Sequence, residues 1–99
     1  MSKPNSKGES ENLYKAILML ENVDECKKFF DDLCTTTELA AMEQRYNVAL
    51  CLHRGMVYND ILKEAGASSA TISRVNRSLH DGKGGYGIVF SKLDESGEQ

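Results

Sequence analysis

Apolar residues recur along most of the chain at spacings of three and four, the period of helices packed on one face. Leu13, Ile17 and Leu20, with Tyr14 and Leu18 beside them, predict a first helix over about 11–21. Asn22 or Asp24 can cap a second helix, whose buried face is expected to be Val23, Cys26, Phe29 or Phe30, and Leu33. Thr35 and Glu38 stand at capping-box spacing before the longest helix, about 37–53. Its expected stripe is Leu39, Met42, Tyr46, Ala49 or Leu50, and His53, and Arg54-Gly55 ends it. A short fourth helix, about 58–65, carries Ile61, Leu62 and Ala65 and stops at Gly66. A fifth begins at Ser68 or Ser69, turns Ile72, Val75 and Leu79 inward, and stops near Asp81-Gly82.

The ends of the chain break this rhythm. Residues 1–10 are polar and are expected to be a disordered leader. Residues 82–87, Gly-Lys-Gly-Gly-Tyr-Gly, predict a flexible connector, and an acidic tail follows. The apolar run Ile88-Val89-Phe90 fits either a brief helix or an extended arm. The expected organisation is a leader (1–10), an all-α domain (11–81), and a Gly-rich connector with a flexible acidic tail (82–99).

A chain of 99 residues holds one core, and 40% apolar with 27% charged residues is ordinary globular composition. No apolar run is long enough to span a membrane, and no apolar segment with a cleavage site marks a secretory signal, so a cytoplasmic protein is expected. The net charge of −3 is unevenly spread. Residues 1–64 carry eight basic against eleven acidic side chains, whereas 65–93 carry Arg74, Arg77, Lys83 and Lys92 against Asp81 alone. That locally basic segment keeps nucleic acid in view despite the acidic whole.

Few residues suggest other chemistry. Cys26, Cys34 and Cys51 are odd in number and lack C-x-x-C spacing, as expected of reduced, structural thiols. Only His53 and His80 could join them around a metal, so no metal site is expected. No cofactor is implied. The glycine run lacks the Lys-Ser/Thr of a phosphate loop, and no nucleophile–base spacing suggests catalysis.

The informative stretch is VYNDILKEAGASSATISRVNRSL, residues 57–79. A short helix, a glycine turn and a helix opening on small polar residues make a helix-turn-helix, about 58–80. The outer face of the second helix, about Ser69 to Leu79, is Ser68, Ser69, Ala70, Thr71, Ser73, Arg74 and Arg77. Small hydroxyl and methyl groups suit close approach to base edges in a major groove. Arg77 and Lys83, with Arg54 a further candidate, can pair with flanking phosphates. His80 can cap carbonyls or approach a phosphate.

This segment, with its GASSATISR string, resembles the Trp repressor family. The upstream DECKKFFDDLCT and QRYNVALCLHRG resemble its YerC/YecD-type subgroup, and the likeness covers about residues 11–81. The resemblance implies a homodimer with interlocked helices, two reading heads, and double-stranded DNA as partner. It places Ser69, Ala70, Thr71 and Ser73 at base-reading and backbone-contacting positions. Asn59 stands where the family uses an arginine for DNA, so that contact is weakened or changed. Arg45 and Arg74 match the two arginines that frame tryptophan, and Ser78 a polar residue near the ligand's amino group. Val75 replaces the glycine that leaves room for the indole, so a tryptophan co-repressor is not expected.

The expected function is therefore a dimeric, sequence-specific DNA-binding regulator, a repressor by resemblance, and not an enzyme. Two rivals stay open. The helix-turn-helix face could bind protein, or Arg45, Arg74 and Ser78 could hold a small carboxylate other than tryptophan.

Overall fold

Side chains that cap exposed backbone groups mark where three of these helices begin, at Asn22, Thr35 and Ser68. A computed structural model describes residues 7–97, and within them six helices occur: α1 (Lys7–Leu18), α2 (Val23–Leu33), α3 (Thr36–His53), α4 (Tyr58–Ala65), α5 (Ser69–Asp81) and α6 (Gly85–Ser96). No strand occurs among the described residues. Asn22, not Asp24, caps α2: its Oδ1 accepts from the Glu25 amide at 2.9 Å. The Glu25 carboxylate reaches back to the Glu21 amide at 3.0 Å. Thr35 and Glu38 form the expected reciprocal box, with the Glu38 amide donating to Thr35 Oγ1 at 3.0 Å and the Thr35 amide to Glu38 Oε1 at 2.9 Å.

The chain divides into two compact units, residues up to Leu39 and residues from Ala40 onward. In the first, α1 and α2 carry apolar side chains, yet none of those described is buried. Leu18 is 83% exposed, Met19 76% and Val23 73%. Phe29 and Phe30 meet edge to face, with ring centroids 5.5 Å apart, and are half-buried. Helix α1 starts at Lys7, inside the stretch expected as a leader; residues 1–6 of that stretch lie outside the described residues. Apolar periodicity marks only where a helix first needs a buried face. Backbone hydrogen bonds can propagate it through a polar turn beyond that point.

The second unit holds the core. Val48, Ala49 and Cys51 of α3, Ile61 of α4, Ala67 of the turn, Ile72 and Val75 of α5, and Phe90 of α6 are all buried in one cluster. Tyr46, Leu50, Leu62, Ala65 and Leu79 pack against it half-buried. The expected α3 stripe included Ala49 but not Val48 or Cys51. An inner helix with neighbours on more than one side buries residues that no single stripe contains. No buried side-chain polar atom in the described residues lacks a partner.

Residues 85–96 form α6: of the two forms left open for Ile88-Val89-Phe90 the helix is the one found, and it extends back into the expected glycine connector and on into the expected flexible tail. Tyr86, Phe90 and Leu93 stand at i, i+4 and i+7, and the glycines around Tyr86 hid the first of them. Phe90 is the anchor. Its ring stacks on His53 at 4.5 Å and on Tyr86 at 5.9 Å, and it meets Tyr46 at 5.9 Å. His53 Nε2 also lies 3.1 and 3.3 Å from the two carboxylate oxygens of Asp94, a second link between α3 and α6. Gly84 and Gly97, both left-handed, bound the helix.

Phe90→Ala should therefore destabilise the protein by about 3–5 kcal/mol, read as a lowered midpoint in urea unfolding. A loss under about 1 kcal/mol would mean that α6 does not belong to the cooperative core.

Candidate nucleic-acid interface

The helix-turn-helix is built from the turn outward. Helix α4 ends at Gly66, whose backbone is left-handed with φ 62°, a conformation costly for any residue with a Cβ. Ala67 is buried directly after it. Ser68 is the N-cap of α5, with its Oγ accepting from the Thr71 amide at 3.2 Å. The Ser68 hydroxyl donates to Thr71 Oγ1 at 3.1 Å, so both side chains order the first turn. Gln44 of α3 donates from Nε2 to the Gly66 carbonyl at 3.3 Å, across 22 residues of sequence. That tether was not among the expected site residues, and no local pattern could have found it.

Ile61, Ile72 and Val75 hold α4 and α5 in the core, which fixes what faces outward. Ser69, Ala70, Ser73, Arg74 and Arg77 are exposed on α5, with Thr71 half-buried. These residues share one helix and its open side, and no ion pair among the described residues engages Arg74 or Arg77. Asn59 is exposed in the first turn of α4. His80 is exposed, and its Nδ1 lies 2.8 Å from the Asn76 carbonyl one turn back, a capping role. Lys83 lies in the loop after α5. With Tyr46, Ser78, Gly82, Gly85, Tyr86 and Val89 it lines an apolar cavity of about 500 Å³.

The arrangement offers small hydroxyl and methyl groups at the capped start of a rigid helix and guanidinium groups further along it. Its chemistry is hydrogen bonding and close contact at the start, charge pairing beyond. The residues expected for a carboxylate ligand are less gathered. Arg45 is half-buried on α3, and Arg74 and Ser78 are exposed on α5. Neither arginine lines the cavity beside Lys83. Val75 is 1% exposed, its side chain part of the core.

Comparison with known proteins agrees with this geometry. The family model described as Trp repressor protein matches residues 9–94. The chain is 43% identical over 88 residues to YerC, an uncharacterised protein of Bacillus subtilis, covering 89% of this chain and 85% of that one. Among solved structures it is similar to a Staphylococcus aureus protein assigned as a candidate Trp repressor, with a TM-score of 0.82 and 44% identity over 96% of this chain and 91% of that one. A TrpR-like protein from Eubacterium eligens has a TM-score of 0.80 and 49% identity, covering 85% and 87% of the two chains. No helix among the described residues is long and apolar enough to cross a membrane. An all-α chain of this sequence and this helix order belongs to the Trp repressor family.

Proposed function

We propose that the protein is a homodimeric, sequence-specific regulator that binds double-stranded DNA through α5. The observation that carries this reading is the exposed face Ser69–Ala70–Ser73, with Thr71 half-buried beside it, braced by the Gly66 turn, the Ser68 cap and the Gln44 tether. Reading base edges needs a face that is small, polar and rigid. A rim of Arg74, Arg77 and Lys83 then meets phosphates and positions the helix without reading sequence. Asn59 supplies a neutral contact from α4. The family assignment supports repression as the outcome of binding.

The dimer reading rests on α1 and α2. Each carries apolar side chains, and the first unit buries none of those described. Apolar side chains such as Leu13, Leu18, Val23 and Leu33 left in water are costly, and a second copy of the chain covers them. Two reading heads related by a two-fold axis then call for an inverted-repeat operator. The tryptophan reading has no support in the site. Val75 occupies core space, and an indole ring would have to displace a packed side chain.

Three outcomes are expected. Sedimentation equilibrium should give about twice the chain mass, and Leu18→Glu should shift the population toward monomer. Selection from a random duplex library should return an inverted repeat. On that operator, Ser73→Ala should lower affinity severalfold with little change on unrelated duplex. Arg77→Ala should weaken both alike and reduce the salt slope by about 1. Equal losses on every duplex for Ser73→Ala would remove it from base reading. Finally, millimolar L-tryptophan should leave the unfolding temperature unchanged, since a ligand that binds only the folded state would raise it.

A further inference from the structure

A second, smaller cavity lies between α3 and α4, on residues that the DNA-binding reading does not use for base contacts. It has a volume of about 240 Å³ and is lined by Asn47, Leu50, Cys51, Arg54, Glu64 and Ala65. Arg54 immediately follows α3, and Glu64 lies in the last turn of α4. Each opens to the same cleft, yet no ion pair among the described residues engages either one. A guanidinium and a carboxylate therefore line one cleft without neutralising each other.

We infer that this cleft binds a small zwitterion, a molecule with a carboxylate and a primary amine on a short aliphatic chain. The guanidinium of Arg54 offers paired donors for a carboxylate, and Glu64 accepts from an ammonium. Asn47 can donate or accept beside either head. Leu50, Ala65 and the buried thiol of Cys51 supply an apolar floor for the methylenes between the charges. The size limits the occupant. Cavities that hold drug-sized ligands run to roughly 300–1,000 Å³, and this one is smaller. The site is separate from Arg45, Arg74 and Ser78, none of which lines it.

Its place gives binding a consequence. Glu64 and Ala65 directly precede Gly66, the turn residue that Gln44 ties to α3. A zwitterion bridging Arg54 and Glu64 adds a second tie between α3 and the end of α4. An effect on operator affinity rests on the DNA-binding reading; the binding of the zwitterion does not.

The test is an amide chemical-shift titration of the full chain, without DNA, using glycine, β-alanine and γ-aminobutyrate, whose charges are progressively further apart. Acetate and methylammonium serve as single-charge controls. At least one zwitterion should give saturable shifts at residues 47–54 and 64–66, binding about tenfold more tightly than either control. Arg54→Gln and Glu64→Gln should each weaken it about tenfold. Both residues are exposed, so both variants should keep the wild-type helical signal. The inference fails if none of the three zwitterions gives saturable shifts there. It fails equally if the substitutions leave binding unchanged. A change in sedimentation mass in the two variants, with no zwitterion bound, would assign the cleft to a contact between copies and overturn it. Because DNA is absent from the titration, its outcome stands apart from whether the protein binds an operator.

Discussion

The packing of α3 against the helix-turn-helix is the constraint on which the rest depends. An eight-residue and a thirteen-residue helix are too short to persist alone in water. Here Ile61, Ile72 and Val75 share one buried cluster with Val48, Ala49 and Cys51 of α3. That cluster holds two marginal helices together as one packed helix-turn-helix. It also determines the outward face, because a helix that buries Ile72 and Val75 must expose Ser69, Ser73, Arg74 and Arg77.

Polar contacts refine what the core begins. Gln44 spans from α3 to the Gly66 carbonyl, and Ser68 closes the first turn of α5 onto Thr71. The turn is thus held from the core side by Ala67 and from the polar side by Gln44. A reading helix gains specificity when its angle to the body is not free to vary, since a mispositioned hydroxyl loses its hydrogen bond. At the other end of α3, His53 joins Phe90 and Asp94, so one long helix organises both α6 and the helix-turn-helix.

The first unit obeys a different logic. Helix α2 is capped by Asn22, yet α1 and α2 bury none of their described apolar side chains and leave Leu18, Val23 and Leu33 largely exposed. Local sequence can set up such a helix, but only a partner surface makes use of its face. The homodimer proposed for this protein gives those residues a role that the isolated chain cannot. It also accounts for the finding that, among the described residues, those that are buried all lie from Val48 onward.

Much of this was legible in the sequence, for local reasons. Helix existence, the Thr35–Glu38 box, the Gly66 turn and the inward Ile72 and Val75 depend on residues a few positions apart, and spacing records them directly. The family and its helix-turn-helix were legible for the same reason, because the diagnostic residues are contiguous. What only the tertiary structure decided involves residues distant in the chain. Helix α6 exists as an ordered element because Phe90 finds Tyr46 and His53, some forty residues earlier. The Gln44 tether and the cleft between Arg54 and Glu64 likewise require α3 and α4 to lie side by side. Periodicity reports which face of a helix seeks burial; it carries no record of which distant residue will meet that face, because that choice is made by packing.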